Sequence, residues 1–385
     1  MIPYGRQDIS EDDVRAVVDV LHSDWLTQGP AIERFEQAVA RFCGSTYAVA
    51  VANATAGLHI ACLAAGLGEG DAFWTSPNTF LASANCGVYC GATPGFVDVD
   101  AGTLNMDPAA LEQRLVQARA ARCVPKIVIP VHFGGQSCDM EPIARLAREY
   151  GFTVIEDASH AIGGQYRGRR VGSCEYSDMT VFSFHPVKII TSGEGGIVLT
   201  NRKDLYDKLV LLRSHGMTRE AARMQGTSEG PWYYEQVALG FNYRLTDMQA
   251  ALGLSQLQRT DHFVARRTEL AQRYGELLRN VPVRTQACIA EAVSAWHLYV
   301  VQLAVGKSLR SRREVFEELR ARDVGVNVHY IPVHLQPYYR RYGFAAGDFP
   351  VAEAYYAAAL TLPLYPGLSD TQQESIVAHL RELLT

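Results

Sequence analysis

The sequence predicts an α/β protein in which a mostly parallel central sheet has helices on both faces and a smaller C-terminal α+β domain follows. Two observations lead to this fold class. Short apolar runs alternate with helix-like segments through the first half of the chain, as in sheets built from strand–helix–strand units. The pattern changes near residue 246. We therefore expect a large α/β domain at residues 1–245, with a helical segment at its N-terminus, and a smaller domain at residues 246–385.

Each element is placed by the spacing of its apolar residues. Helical spacing, and a proline that can open a helix, predict helices at residues 12–21 and 30–42. The strands of the sheet are predicted at residues 47–51, 73–75, 95–97, 127–131, 153–155, 179–184 and 196–200, with helices at 56–65, 108–121, 140–150 and 203–214. After an irregular stretch at 220–240 we expect a helix, broken or continuous, at 246–280, strands at 296–303 and 325–330, and helices at 312–322 and 369–384.

Composition excludes several classes of protein. The chain has 385 residues, of which 48% are hydrophobic and 20% charged, and a formal net charge of −5. These values are typical of a globular protein rather than a collagen-like, coiled-coil or disordered chain, and without a basic excess nucleic-acid binding has no electrostatic support. The sequence shows neither the apolar run of a signal peptide nor one long enough to cross a membrane. Its 8 cysteines form no Cys-x-x-Cys pair, so we expect no metal site and a cytoplasmic protein.

Two glycine-containing stretches were tested as phosphate-binding motifs and fail. The glycines at residues 66–70 have the wrong spacing for a dinucleotide fingerprint and follow a helix instead of a strand. Gly306, Lys307 and Ser308 resemble the end of a P-loop, but Val301 stands where its first glycine belongs. A phosphate site must therefore be built in another way.

Lys188 differs from the other lysines in its surroundings. It lies between the apolar run at 179–184 and a glycine cluster that precedes the next strand, which places it on a tight turn among apolar residues. An amine that loses its hydration has a lowered pKa and attacks carbonyl groups in its neutral form. Two interpretations stay open on these residues alone: a Schiff-base lysine, or a lysine whose ammonium group reaches solvent.

An acidic motif follows the strand predicted at 153–155. Ligands bind at the carboxyl ends of parallel strands, and Asp157 lies at such an end. Its carboxylate could hold a proton on a heteroaromatic nitrogen, as pyridoxal phosphate requires, or it could cap a helix. His160, one turn later, could contact the same ring.

Three further segments carry candidate binding groups. Asn53, Ala54 and Thr55 lead into a helix whose first amides could bind phosphate, or they form an ordinary capped helix start. Phe80 follows another strand and could stack on a planar ring or belong to the core. The loop at 25–30 either connects two helices or lines a pocket. A phosphate cradle, a stacking ring, an acid and a desolvated lysine at one sheet edge together describe a site for pyridoxal 5′-phosphate.

With these motifs the chain resembles the DegT/DnrJ/EryC1/StrS family of sugar aminotransferases, which have the fold type I of pyridoxal phosphate enzymes. The resemblance covers essentially the whole chain. The segments that carry it are residues 2–5, 53–55, 156–160, 183–188, 240–244 and 362–366, and residues 2–5, 26–30, 74–80 and 328–332 are most similar to family members of pseudaminic acid biosynthesis.

The resemblance implies a role for each candidate residue. Lys188 would bind the cofactor covalently, Asp157 would pair with its ring nitrogen, Phe80 would stack on the ring, and His160 would lie close to it. The phosphate would be held by Thr55, the Ala56 amide and Ser183, with Asn242 reaching it from the partner subunit of a homodimer with shared sites. The substrate would contact Tyr4, Leu26, Thr27, Gln28, Gly29, His329 and Tyr330, together with Ala56, Ser183 and Asn242.

The implied activity is transfer of an amino group from glutamate, which leaves as 2-oxoglutarate, to C4 of a UDP-4-keto-6-deoxy-N-acetylhexosamine. Three alternatives stay open. The substrate could be another nucleotide-4-keto-6-deoxy sugar, of the perosamine or bacillosamine type. Family members that dehydrate sugars carry histidine in place of the lysine, so Lys188 argues against that reaction. The chain could also be a non-catalytic nucleotide-sugar-binding subunit.

Overall fold

The computed structural model describes residues 1–304 and 310–385. The segment of Gly306, Lys307 and Ser308 lies outside these residues. The strands are β1 (Tyr47–Val51), β2 (Ala72–Thr75), β3 (Thr93–Phe96), β4 (Ile127–Ile129), β5 (Thr153–Asp157), β6 (Gln165–Tyr166), β7 (Arg169–Arg170), β8 (Met179–Ser183), β9 (Gly196–Thr200), β10 (Met217–Thr218), β11 (Glu235–Gln236), β12 (Val283–Thr285), β13 (Ala292–Val293), β14 (Tyr299–Leu303) and β15 (Ala359–Leu362).

The helices alternate with these strands in the first half of the chain and dominate its second half. They are α1 (Glu11–Leu21), α2 (Pro30–Cys43), α3 (Ala54–Ala64), α4 (Ala82–Tyr89), α5 (Pro108–Ala120), α6 (Met140–Tyr150), α7 (Lys203–Arg213), α8 (Asp247–Leu257), α9 (Thr260–Leu277), α10 (Arg312–Ala321), α11 (Pro337–Arg340), α12 (Pro350–Ala358) and α13 (Asp370–Leu384).

The central sheet has seven strands in the order β1-β9-β8-β5-β4-β2-β3. Strand β9 runs antiparallel to both of its neighbours, and the remaining pairs are parallel. The α/β class and the mostly parallel sheet predicted from the sequence are therefore confirmed. Because β9 is reversed, its first residue lies at the same sheet edge as the carboxyl ends of the parallel strands.

Side chains of successive strand residues point to opposite faces of this sheet, and both faces are covered by helices. On one face Ile155 and Val181 pack with residues of α3, α4 and α7. On the other face Phe182 packs with Phe35 of α2, and Val154 packs with residues of α5 and α6. The sheet is thus the middle layer of three, and its edge is left for a site.

The C-terminal part is built around a second, three-stranded antiparallel sheet in the order β12-β14-β15. Helix α9 joins it to the first part: Phe263 near its start packs in the core that contains α2 and α8, whereas Leu270 and Tyr274 pack in the core of the C-terminal sheet. Helix α8 also packs on α1 and α2. The domain boundary at residue 246 stays a prediction.

Most predicted elements are present, with shifted ends. The helix expected at 246–280 is broken into α8 and α9, and the stretch at 220–240 is largely irregular. The strand expected at 325–330 is wrong: this segment makes one isolated bridge, from Asn327 to Thr361, and the residue before it, Val324, makes another with Ile2. Its apolar alternation reflects burial between the N-terminal segment and β15. In the part of the chain that the structure describes, no helix is long and apolar enough to span a bilayer.

Candidate active site

A cavity of about 730 Å³ opens at the carboxyl edge of the central sheet. Residues that follow β1, β2, β5 and β8 line it, together with segment 327–330 of the C-terminal part. Its position agrees with the rule that parallel sheets bind ligands at the carboxyl ends of their strands. The residues predicted from the sequence that line it are Tyr4, Thr55, Phe80, Asp157, His160, Ser183, Lys188, His329 and Tyr330.

Lys188 lies on the turn between β8 and β9, where its backbone amide donates to the His185 carbonyl at 2.9 Å. The residues that follow it, Ile189 and Ile190, are buried in the core. Burial of the amine lowers its pKa to about 8, and the nearby Asp157 carboxylate opposes this shift only in part. Near neutral pH a substantial fraction of the amine is therefore unprotonated and nucleophilic.

Asp157 is the last residue of β5 and its side chain is buried at the cavity wall. The Ser83 hydroxyl donates to Oδ2 at 2.5 Å, and the Ser159 hydroxyl donates to Oδ1 at 2.6 Å. These two hydrogen bonds fix the position of the carboxyl group. No described helix begins directly after Asp157, so the alternative that it caps a helix is wrong.

The N-terminus of α3 reaches the same cavity. The Asn53 side chain caps the helix by accepting from the Ala56 amide at 2.9 Å, while Ala54 and Thr55 line the cavity. First-turn amides have no acceptor within their own helix and favour an anion. Gly196 of β9 packs directly on this turn, since a Cβ there would lie 2.6 Å from the Ala54 amide nitrogen. The strand can approach the helix start only because this residue is glycine.

Histidine and aromatic side chains form the rest of the wall. Burial holds the pKa of His160 and His297 well below the usual value. Burial and the charge of Lys188 also lower the pKa of His329 to about 3. These imidazoles are therefore neutral around the lysine. The Phe80 ring is 57% exposed and its centroid lies 6.2 Å from that of Tyr330, so one face is accessible to a ligand.

Three sets of predicted residues lie elsewhere. The loop of Leu26, Thr27, Gln28 and Gly29 is absent from the cavity lining of its own chain; instead, Asp247 accepts from the Gly29 amide at 2.8 Å. Asn242 is also absent from the cavity lining, and its backbone forms an isolated β-bridge with Ser214. Ala56 does not line the cavity either, and its amide is occupied by the Asn53 cap.

Several residues at or behind the cavity wall were not predicted from the sequence. Ser159, His297 and Asn327 line the cavity, and the fully buried Ser83 lies behind the lining, where it holds Asp157 as Ser159 does. Ser159 stands in the acidic motif and could have been identified as a local Asx-type partner. Ser83, His297 and Asn327 come from distant segments and carry no local signal. Among the described residues, no cluster of three or more His, Cys, Asp or Glu side chains is arranged to hold a metal ion.

Comparison with known proteins places this site in context. Residues 7–381 match the DegT/DnrJ/EryC1/StrS aminotransferase family. The chain belongs to that family. Its sequence is 41% identical to the spore coat polysaccharide biosynthesis protein SpsC of Bacillus subtilis, over 100% of this chain and 97% of SpsC.

Solved structures of the family are similar along the whole chain. The putative sugar aminotransferase Spr1654 from Streptococcus pneumoniae, in its PMP form, superposes with a TM-score of 0.91 at 30% identity and covers 100% of this chain and 99% of its own. Helicobacter pylori PseC, an aminotransferase of pseudaminic acid biosynthesis, gives a TM-score of 0.89 at 28% identity, with 100% and 99% covered. The chain is therefore a pyridoxal phosphate-dependent sugar aminotransferase of fold type I.

The residues of the cavity fit this cofactor. Pyridoxal phosphate needs an amine for its aldehyde, an acid for its ring nitrogen and an anion site for its phosphate. The desolvated Lys188 amine, the Asp157 carboxylate and the open first turn of α3 supply these three groups in one cavity. The close contact between Gly196 and Ala54 keeps side chains away from the helix start.

Proposed function

We propose that this aminotransferase moves an amino group from glutamate to C4 of a UDP-4-keto-6-deoxy-N-acetylhexosamine, in a pathway of the pseudaminic acid type. The observation that carries the proposal is the cavity in which the Lys188 amine, the Asp157 carboxylate and the α3 N-terminus lie together. Similarity to PseC along the whole chain supports the choice of sugar.

In this proposal the cavity residues have the roles that the resemblance to the family implies. Lys188 would bind the cofactor covalently, and Asp157 would hold the proton on the ring nitrogen of the cofactor. The Phe80 side chain would stack on the cofactor ring. The phosphate lies on the first turn of α3, with Thr55 and Ser183 as hydroxyl donors. Ala56 joins only if the phosphate displaces the Asn53 cap from its amide. His160 lies beside the ring as a neutral imidazole.

When bound, pyridoxal phosphate supplies an electron sink for the carbon that loses its proton. The chain supplies the base. The Lys188 Nζ would hold the cofactor and, once displaced by the donor amine, would accept the proton of the donor carbon and pass it to the cofactor. In the second half of the reaction it would move a proton the other way, to C4 of the sugar, and a pKa of about 8 suits both transfers near neutral pH. The Ser83 and Ser159 hydroxyls hold the two Asp157 carboxyl oxygens in place.

Tyr4, His329 and Tyr330 line the cavity and are proposed to contact the sugar. A second substrate class is favoured by one finding. The relative SpsC is described as a protein of spore coat polysaccharide biosynthesis, which suggests another nucleotide-4-keto-6-deoxy sugar. Incubating the enzyme with glutamate and a panel of UDP- and dTDP-4-keto-6-deoxyhexoses decides between them. A preference for a dTDP sugar would overturn the pseudaminic acid assignment and leave the aminotransferase assignment intact.

We also propose that the enzyme is a cytoplasmic homodimer whose sites are completed by the partner. Asn242 and the loop at 26–29 lie outside the cavity of their own chain, which suits a role in the partner's cavity. Apolar side chains at helical spacing are exposed on α1, namely Val14, Val18 and Leu21, at 48%, 39% and 53%. Trp232 and Leu239 are exposed at 69% and 81%. Exposed apolar patches of this kind mark protein interfaces.

Mixing two inactive variants tests the shared sites. If Asn242 serves the partner's cavity, a Lys188→Ala chain and an Asn242→Ala chain refolded together form hybrids with one intact site. Random pairing then restores about a quarter of the wild-type activity. Mixtures that stay inactive, although hybrids form, would place Asn242 in its own chain's site, and an Asn242→Ala protein that is active by itself would place Asn242 outside any site.

The cofactor attachment is tested on the purified protein. Added pyridoxal phosphate should produce a visible absorbance band, and borohydride should fix the cofactor to the peptide that contains Lys188. The matched control is Lys203→Ala, which changes a surface lysine paired with Asp207 and should leave the band intact. A protein that stays colourless with the cofactor would contradict the proposal.

A further inference from the structure

A hydrogen-bond chain with a defined direction runs along one wall of the cavity. The Gly134 backbone amide donates to His160 Nδ1 at 3.3 Å, and His160 Nε2 lies 3.2 Å from the Tyr330 hydroxyl. A backbone amide can only donate, so Nδ1 is the acceptor and carries no hydrogen. A neutral His160 therefore has its hydrogen on Nε2 and donates it to Tyr330.

His160 remains neutral because of its burial, the charge of Lys188 and the hydrogen bond from the Gly134 amide. Burial lowers its pKa, and the positive charge of Lys188 lowers it further. The ring of His297, itself neutral, lies 4.4 Å away between centroids. Protonating Nδ1 would also break the bond from the Gly134 amide. The direction of the chain is thus the same at every pH at which the enzyme is folded and His160 is neutral.

Tyr330 keeps its own proton. Burial raises the pKa of its phenol, and the charge of Asp157 and the neighbouring Tyr4 act in the same direction. Within residues 1–304 and 310–385, His160 is the one hydrogen-bond partner of this hydroxyl. Because the hydroxyl accepts from His160, its hydrogen points away from that ring. Tyr330 lines the cavity, so the hydrogen is available to a bound molecule.

We propose that Tyr330 is an obligate hydrogen-bond donor to an oxygen of the molecule in the cavity, and that Gly134 and His160 set this direction as positioning residues. The inference rests on the proposed function for the identity of that molecule. The acceptor is an oxygen with negative charge density, and two sources have this chemistry: the ring hydroxyl of the cofactor and a carbonyl or hydroxyl oxygen of the sugar.

Gly134 can set the direction because it is glycine. Its φ of 70° lies in the left-handed region, and a Cβ would be 2.6 Å from Gln286 Oε1. Gln286 is itself held by bonds to the carbonyls of Thr103 and Phe133. A side chain at position 134 would turn the amide away from His160. A Gly134 variant would also disturb folding, so the tests change the other two residues.

The first test needs no cofactor. In the apoprotein labelled with ¹⁵N-histidine, two-bond nitrogen–hydrogen couplings report the tautomer of each ring, and His160→Gln assigns the signal. The expected result is a neutral His160 with its hydrogen on Nε2 between pH 6 and 9, a range of about three units around the ordinary histidine pKa. A hydrogen on Nδ1, or a charged ring, would overturn the proposal regardless of the activity of the protein.

The second test measures the hydroxyl of Tyr330. If its acceptor is the cofactor, Tyr330→Phe raises the pH midpoint of the cofactor's visible band by about one unit, as expected for one hydrogen bond to a charged oxygen. If the acceptor is the sugar, the midpoint stays and KM for the sugar rises about tenfold. Either result supports the donor role. A variant that changes neither overturns it.

Two matched comparisons separate this role from a structural one. Tyr274→Phe removes a buried hydroxyl that donates to the Pro363 carbonyl at 2.9 Å, outside the cavity, and should change stability without changing the midpoint or KM. At position 160, Gln can place a donor near the Nε2 position, whereas Asn is too short. We expect His160→Asn to reproduce the Tyr330→Phe effect and His160→Gln to preserve most of the wild-type value. If no variant, nor the wild type, gains a visible band, the proposed function fails while the tautomer result still stands.

Discussion

Glu156 and Asp157 are adjacent carboxylates that are equally buried but lie in different surroundings. Each is 5% exposed, and each accepts from two hydroxyl groups: Glu156 from Ser177 and Thr180, and Asp157 from Ser83 and Ser159. Because they occupy consecutive strand positions, they point to opposite faces of the sheet. Glu156 meets His132 at 2.5 Å in a closed interior, whereas Asp157 borders the cavity with Lys188.

The comparison shows how the acid proposed to bind the cofactor differs from its structural neighbour. Burial alone would raise the pKa of Glu156, but the bonds from His132 and the two hydroxyls outweigh it and lower that pKa. The cavity that Glu156 lines has a volume of about 10 Å³, too small for a ligand, so this pair contributes to stability. Asp157 has no such partner on its open side. Access to a cavity, and not burial or hydrogen bonding, distinguishes the two.

The largest effect is expected at Lys188, which lines the cavity together with Asp157. Lys188→Ala should lower turnover by at least about a thousandfold, because the chain loses both the cofactor attachment and the base. Steady-state kinetics with glutamate and the preferred sugar measure this, and Lys203→Ala, on the surface, should keep wild-type turnover. If Lys188→Ala retained more than a few per cent of activity, the role proposed for the cavity residues would be contradicted.

Glu156→Gln should act on stability. Removing the charge from a buried pair leaves His132 poorly satisfied and should lower the free energy of unfolding by about 3 kcal/mol. Urea denaturation of the apoprotein measures the loss. The folded variant should bind the cofactor as the wild type does, and a loss of the visible band in fully folded protein would show that Glu156 is linked to the site.

Asp157→Asn should act on chemistry. Loss of a charge-assisted bond to a ring nitrogen costs about 2 kcal/mol, which corresponds to a fall in turnover of about thirtyfold. The stability of the apoprotein should change less than in Glu156→Gln, because the amide still accepts one serine bond. Parallel kinetics and denaturation of the two variants give the cleanest test, since an equal stability loss in both would remove the distinction.

The smallest effect concerns how the rate of cofactor capture by Lys188 depends on pH. Lys188 is protonated below its pKa of about 8 and neutral above it, so the rate at which the apoprotein captures pyridoxal phosphate should rise about tenfold per pH unit below 8 and level off above it. The unfolded chain binds this proton more tightly, with the ordinary pKa of 10.5. The free energy of unfolding should therefore also rise between pH 8 and 10.5. A capture rate that climbs steadily to pH 10 would contradict the lowered pKa.

Much of the fold and the centre of the site could be predicted from sequence because their signals are local. Lys188, Asp157 and Thr55 each follow a strand that apolar runs mark clearly, and the parallel topology then brings them to one edge. Ser83 and His297 could not be predicted, because only the packing of α4 brings Ser83 to Asp157 and only the segment before β14 brings His297 to the cavity. The strand expected at 325–330 failed for a related reason, since its alternation comes from burial without continuous pairing.

Helix α9 has a consequence for how the cavity can open. It is a continuous helix of 18 residues that contributes Phe263 to one hydrophobic core and Tyr274 to the other. His329 and Tyr330, which complete the cavity wall, belong to the C-terminal part. A rotation of the C-terminal part away from the sheet would require the shared helix to bend or one of the two hydrophobic cores to be disrupted. Any opening that leaves α9 and both cores intact is limited to side chains and short loops at the rim of the cavity.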